Sequence, residues 1–354
     1  MKKILLLGFI SILYFSVSAQ DVDSVDYYIN QGVSLHDKGD YSGAITNYEK
    51  ALKIEQNNVT ALAEKAFSLL SLKDYSNSIK TCKQAINNNP QSKGLKFVYT
   101  TYANALDASK KPNEAVEIYN QGIELFPDYY QLHFNKGITL SGLQKYDEAL
   151  LSFQNSASLN PQHASSHNAI GRILMINKSN IPALMAFGRF LIIEPQGGRA
   201  KSNLPYVQKI MSANVEKTGK NNVTINIDPN ILSSAEKKKK TENDFSTTDL
   251  ILSMSAALDY DKKNKKKTEL ELFIDKFETV CSSLEEVQKD NYGFYWEYYA
   301  PYYIEMKNNN MIETFSYLVY ASSENKNTQD WLSKNKSKID LFYKWSSEYK
   351  WVKK

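Results

Sequence analysis

The 354-residue chain is poor in cysteine, histidine, proline and glycine, with 2, 4, 9 and 14 of each. Two cysteines exclude a disulfide-stapled fold. With four histidines they also leave no cysteine–histidine set of zinc spacing. No Gly-rich phosphate loop and no nucleophile elbow occurs, which removes the commonest phosphoryl- and acyl-transfer chemistries. Charge of one sign is lacking too: 43 basic residues stand against 39 acidic ones, a net +4. Without Lys2 and Lys3 the balance is 41 against 39, or +2, and no polyanion-binding signature remains. After the first twenty residues no apolar run approaches the roughly 20 residues of a bilayer-spanning helix.

Those first residues, MKKILLLGFISILYFSVSAQ, join two lysines, an apolar stretch from Ile4 to Val17 and small residues ending at Ala19. The order is that of a secretory signal cleaved after Val17-Ser18-Ala19, which predicts an exported protein, periplasmic or secreted. An uncleaved anchor is the alternative, disfavoured by the shortness of the stretch and by Gly8 and Ser11 within it. No cysteine follows the cleavage site to carry a lipid. Cys82 and Cys281 each fall on the apolar stripe of a predicted helix and read as small buried hydrophobes rather than a disulfide pair.

Self-similarity organises the front half. Small residues recur at Gly32, Ala66, Ala103, Gly137 and Gly171, at intervals of 34, 37, 34 and 34. A second small series follows at Ala44, Ser78, Ala115, Ala149 and Ala183, and a largely bulky one at Tyr48, Cys82, Tyr119, Phe153 and Phe187. Gln56, Pro90, Pro127, Pro161 and Pro195 close the units. Each unit holds two stretches of helical period divided by turn chemistry, and proline stops the second by lacking an amide donor. Small side chains let two helices approach, and the bulky residue fills the gap beside them. One pair cannot bury its own apolar face, so the units must stack.

These residues resemble the tetratricopeptide repeat family, whose 34-residue helix-turn-helix carries small, small, aromatic and proline signatures in this order. The resemblance covers residues 25–197 and departs locally. Tyr28, Leu62, Tyr99, His133 and His167 stand where tryptophan is expected, Cys82 replaces an aromatic, Phe190 a small residue and Gln56 a proline. Five repeats are expected at 25–58, 59–92, 96–129, 130–163 and 164–197. A capping helix with a stripe at Leu204, Val207 and Met211 follows, completing a solenoid from 20 to 212 after the signal at 1–19.

Residues 213–245 read as a polar linker with one alternating segment, VTINI, which needs a partner strand. The lysine clusters at 237–240 and 262–267 read as solvated loops. From Ser246 helical period returns, with Ser246 and Asp249 as a capping box and Leu250, Met254 and Ala257 on one face. Leu270, Phe273, Ile274, Phe277, Val280, Cys281, Leu284 and Val287 follow, and Phe342, Trp345, Tyr349 and Val352 form a last stripe. A helical carboxy-terminal domain of four to six helices over 246–354 is expected. The region GFYWEYYAPYYIEM and the segment ETFSYLVYAS also look similar to exported tetratricopeptide proteins of Bacteroidetes-type bacteria, a likeness that implies no established activity.

Between Tyr292 and Tyr303 eight of twelve residues are aromatic. On a helix they occupy different faces, which favours a core, with Pro301 starting or kinking a helix; a partly exposed pocket stacking a sugar or another flat ligand is the alternative. His163 and His167 have metal-ligand spacing but no third ligand, and DVDSVD lacks the glycine and terminal glutamate of a calcium loop. Glu297 and Glu305 are a carboxylate pair with no companion feature. No cofactor, metal or catalytic set is expected, and the chain reads as no enzyme.

The repeats offer a surface instead. The family resemblance places the first helix of each unit on a concave side, where periodicity turns outward Ile29, Val33, Ala63, Phe67, Phe97, Thr100, Asn104, Phe134, Ile138, Asn168 and Arg172. This row predicts capture of an apolar or amphipathic peptide, with Asn168 and Arg172 holding a carboxylate or backbone. Ile29 and Val33 replace the polar clamp of chaperone-binding members, so chaperone tails fit poorly. The expectation is an all-α superhelical solenoid with a helical carboxy-terminal domain, a non-catalytic scaffold for a protein or peptide partner, with no nucleic acid and no transmembrane segment after signal cleavage.

Overall fold

A computed structural model describes residues 24–212, 214–219, 222–227 and 241–352. The leader at 1–19, Asp21 and Asp23 of the acidic opening and the lysines at 237–240 lie outside the described residues. Residue contacts divide the chain into two compact units, one ending at Ile118 and the other running from Tyr119.

In the first unit the helices are α1 (Val25–Asp37), α2 (Tyr41–Ile54), α3 (Val59–Ser71), α4 (Tyr75–Asn88) and α5 (Leu95–Ala108). Ser24, Asp40, Asn58 and Asp74 cap the first four by accepting an amide three residues on. Each helix packs on the next, and the first helices α1, α3 and α5 also pack side by side. The small-to-bulky logic holds at atomic scale: a methyl group on Gly32 would lie 2.4 Å from the Tyr48 ring.

α6 (Pro112–Leu125) crosses the division. The second unit continues with α7 (Tyr130–Gly142), α8 (Tyr146–Leu159), α9 (Ala164–Ile176), α10 (Asn180–Ile193) and α11 (Gly198–Met211), again packed consecutively. A methyl on Gly137 or Gly171 would meet Phe153 or Phe187 at 2.6 and 2.9 Å. Leu204, Val207 and Met211 of α11 are buried as its stripe requires. His133 and His167 play the same part in successive repeats. The Nε2 of each bonds the carbonyl of the proline closing the unit before, Pro127 at 2.8 Å and Pro161 at 3.0 Å.

Val223–Ile225 finds its partner in Val215–Lys217, an antiparallel two-stranded ribbon lying on α12 (Ser246–Ala257). α13 (Glu269–Val287), α14 (Phe294–Tyr298), α15 (Ala300–Asn308), α16 (Ile312–Val319), α17 (Lys326–Lys334) and α18 (Lys336–Glu348) follow. Seven helices from Ser246 on thus exceed the four to six expected, because the chain breaks at Tyr299 ahead of Pro301. Two further details differ. Ser246 lies inside the first turn and makes no cap, since Asp244 Oδ1 already takes its amide at 3.0 Å. The stripe of α12 is Thr248, Leu252 and Ala256, which leaves Met254 56% exposed. A complete capping box sits instead at Thr268 and Glu271, at the head of the long α13.

α13 buries Phe273, Phe277, Val280, Cys281 and Leu284 against α15 and α16. Both cysteines are free and buried, and burial pushes the Cys82 thiol to about 12. No helix among the described residues is long and apolar enough to cross a membrane.

Candidate functional site

The first-helix row divides into exposed and buried members. In the first unit Phe67 and Phe97 are 45% and 49% exposed, while Val33, Thr100 and Asn104 are half-buried. Phe67 stacks on His36 at 4.7 Å, and His36 Nδ1 is 2.7 Å from Ser68 Oγ, so the ring is held rather than loose. Thr100 spends its hydroxyl on the Lys96 carbonyl at 2.8 Å. Ile29 and Ala63 do not face outward. Ile29 belongs to a core cluster with Ala51 and Ala61, and Ala63 is equally buried, since both sit one step round the helix from the exposed row.

In the second unit Ile138 is 49% exposed and Arg172 is exposed, its guanidinium 5.6 Å from the centre of the Tyr206 ring. Phe134 is half-buried between Phe153 and the edge-on ring of His163. Asn168 is half-buried, and its Oδ1 accepts no bond from a described residue.

The aromatic cluster resolves to core. Phe294, Tyr295, Trp296, Tyr298, Tyr299, Tyr302 and Tyr303 are all buried, and only Tyr292, at 51%, is exposed among the eight. The stacking-platform alternative is thereby overturned, because no ring face of those seven is open to a flat ligand. The polar tips are engaged as well. Gln154 Nε2 donates to Tyr295 at 2.8 Å, Tyr298 donates to the Ala157 carbonyl at 2.7 Å and Tyr303 to that of Met185 at 2.6 Å. Tyr299 lies 2.6 Å from His167 Nδ1, and Trp296 donates to the Asp244 carbonyl at 3.0 Å. Such rings supply large apolar area while each hydroxyl fixes its place. Burial raises the tyrosine hydroxyls from Tyr298 to Tyr303 above their ordinary range.

These partners lie chiefly on α8 and α10, the second helices of their pairs, and not along the outward row of α7 and α9. Arg189 of α10 is fully buried, bonding Ser346 at 2.8 Å and the Pro161 carbonyl at 3.2 Å, with Tyr302 and Trp351 against its planar face. No carboxylate among the described residues pairs with it, so carbonyl, hydroxyl and ring quadrupoles replace an ion pair. Burial first, and the Arg189 charge second, push His167 down to about 3.

Glu297 and Glu305 do not converge. Glu297 Oε1 accepts from the Gly293 amide at the head of α14, and Glu305 Oε1 accepts from Trp345 Nε1 at 2.8 Å. No group of three metal-ligating side chains occurs among the described residues. Sequence reasoning missed the docking face of α10, although NIPALMAFGRFLII is apolar on every side, the pattern of a helix covered all round.

The repeat portion matches known repeats. A TPR repeat model matches residues 32–72, and a tetratricopeptide repeat model matches 59–92, 98–129 and 130–163. The chain therefore carries tetratricopeptide repeats. Among curated proteins, the photosystem I assembly protein Ycf3 of Prochlorococcus marinus is 27% identical over 145 residues, 37% of this chain and 83% of the relative. The small glutamine-rich tetratricopeptide repeat-containing protein 2 of Mycosarcoma maydis is 28% identical over 148 residues, 42% of this chain and 39% of its own. Among solved structures, pilF of Pseudomonas aeruginosa aligns with TM-score 0.47 and 20% identity, covering 52% of this chain and 82% of its own.

Proposed function

We propose that the chain is an exported, non-catalytic scaffold that captures an extended apolar or amphipathic peptide segment of a protein partner on the first-helix face of its repeats. The observation that carries this reading is the exposure of Phe67 and Phe97 in the first unit and of Ile138 and Arg172 in the second. Large apolar side chains held in place yet open to water gain about 1.5–3 kcal/mol each when a partner covers them. The carboxy-terminal helices of the second unit pack mainly on second helices, which leaves this row to a partner. Relatives whose names are those of assembly and repeat proteins agree with a binding role rather than catalysis. Export rests on the leader pattern of residues 1–19.

The test is selection of twelve-residue peptides from a random display library on the mature chain, followed by fluorescence anisotropy. Phe97→Ala in the first unit and Ile138→Asp in the second are each expected to weaken, by about tenfold or more, the selected peptides that bind the unit carrying the change, the loss typical of a buried interface anchor. Peptides that bind both variants as tightly as the parent would refute the groove. Mass spectrometry of the chain from its native cell envelope is expected to show Gln20 at the amino terminus; an intact Met1 there would refute cleavage.

A further inference from the structure

Where α13, α17 and the end of α16 meet, a cavity of about 190 Å³ opens beside Glu269, Tyr317, Tyr320, Ser323 and Thr328. Pockets for drug-sized ligands run to about 300–1,000 Å³, so this one suits something the size of a single small ring. Its polar lining is unfinished. Thr328 is only 2% exposed, and among the described residues only its backbone amide is bonded, to Asn325 Oδ1 at 3.3 Å; the Ser323 hydroxyl is buried and has no partner among the described residues. Unsatisfied buried hydroxyls are uncommon in a finished core and point to an absent partner.

The charge pattern narrows the partner's chemistry. No lysine or arginine lines the cavity, so an anion finds no counter-charge. Neither is it an open anionic hole. Glu271 is tied into the Thr268 capping box, and Glu269 Oε1 accepts from Gln208 Nε2 at 2.6 Å and from the Tyr320 hydroxyl at 3.1 Å. Glu269 is also the first residue of α13, where the partial positive charge of the helix amides offsets its own. What remains for a ligand is one carboxylate oxygen that accepts, two hydroxyls that do both, the side-chain amide of Asn327 and the amino group alone of Asn325, whose Oδ1 caps α17 by accepting the Asn327 and Thr328 amides. Tyr317 supplies a half-buried aromatic wall, fixed by a parallel stack on Trp331 at 4.0 Å.

A neutral ring bearing several hydroxyls matches this set, since it must donate and accept at close intervals and present an apolar face. We propose that the cavity between α13, α16 and α17 binds a single neutral sugar ring, its hydroxyls bonded to Glu269 Oε2, Thr328 and Ser323 and its apolar face against Tyr317. The site lies outside the first-helix row and does not depend on peptide capture there.

Isothermal titration of the mature full chain with D-glucose, D-galactose, D-mannose and N-acetylglucosamine tests it, with putrescine and inorganic phosphate as charged probes. At least one sugar is expected to saturate. Thr328→Val should weaken it about fivefold through one lost hydrogen bond, while melting no lower than the parent, because the hydroxyl it removes is unbonded. Tyr317→Ala should weaken it about tenfold. The proposal falls if none of the four sugars saturates, if both variants bind the preferred sugar unchanged, or if either charged probe binds more tightly than every sugar.

Discussion

The second helices of the first and fifth repeats occupy the same place in the repeat and have opposite surroundings. In α2 only Ala44, Tyr48 and Ala51 are buried, and Thr46, Glu49, Lys50 and Lys53 face water. At the corresponding positions of α10 stand Met185, Gly188, Arg189 and Ile192, and every residue from Ile181 to Ile192 is buried. The inward face is unchanged: Ala44 with Tyr48 becomes Ala183 with Phe187. Only the outward face has been rewritten, from a charged surface to a floor on which Tyr303 and Phe315 rest. A repeat therefore specifies its own pairing with one face and what can cover it with the other.

Exchanging one outward residue between the two helices tests this most severely. Tyr303 Oη and the Phe315 ring would lie 2.7 and 2.9 Å from a methyl group on Gly188. Gly188→Glu, the residue α2 carries at that place, adds a long charged side chain to a filled site and should cost about 4 kcal/mol or more. The reverse change, Glu49→Gly, removes nothing buried and should cost about 1–2 kcal/mol, through helix propensity and the loss of a surface ion pair with Lys65 at 2.8 Å. Hydrogen exchange read by mass spectrometry should show α10, α15 and α16 losing protection in the first variant. Equal effects of the two exchanges would break the comparison.

The buried polar groups of the second unit give the next largest effect, through two opposed titrations. His167 is held near 3, so below its ordinary 6.5 the unfolded chain takes the proton first and stability falls as pH drops. Asp249 is held up at about 8 by burial and the Asp244 charge, so the folded chain keeps a proton that the unfolded chain releases above about 4, and stability falls as pH rises. Between pH 4 and 6.5 the slopes oppose each other, each at most about 1.4 kcal/mol per pH unit. His133 and His163, also held down by burial, add to the His167 side, so the parent's stability in denaturant should rise only modestly with pH there, Asp249 offsetting part of the slope. Asp249→Asn should steepen that rise, and His167→Asn should flatten it. If both variants keep the parent's profile, neither group is shifted by its surroundings as stated.

The repeats were legible because their signal is local: Gly32 and Tyr48 lie sixteen residues apart and meet across one turn. The carboxy-terminal core was legible only as composition. The aromatic density at 292–303 announced a core, but its partners, Gln154, Ala157, His167 and Met185, lie more than a hundred residues upstream and carry no mark of their own. Arg189 is the extreme case, since a lone arginine on a repeat helix reads as solvated until Tyr302, Ser346 and Trp351 close over it. On the outward row, helical periodicity placed Phe67, Phe97 and Ile138 at positions that are exposed, whereas Ile29 and Ala63 are buried because a small angular error about the helix axis separates outward face from core. The sugar-sized cavity had no sequence signal, being assembled from the ends of three helices.

The smallest expected effect returns to the first and fifth repeats, at the turn between their paired helices. Gly39 opens that turn with φ +82°, and Lys73, Lys110, Gln144 and Lys178 do so in the later repeats with φ of 66°, 66°, 59° and 56°. The backbone thus repeats the left-handed residue at the sequence period even where glycine is absent. A side chain there costs about 1–2 kcal/mol, and glycine returns part of that gain through the greater freedom of its unfolded chain. Lys178→Gly should therefore stabilise by about 0.5 kcal/mol, and Gly39→Lys should destabilise by a similar amount. A repeat whose turn is dictated by its own two helices, independent of what covers them, requires the two changes to be equal and opposite in thermal unfolding. A loss of stability in Lys178→Gly would mean that the covered repeat has different turn energetics, and the independence of its two faces would end there.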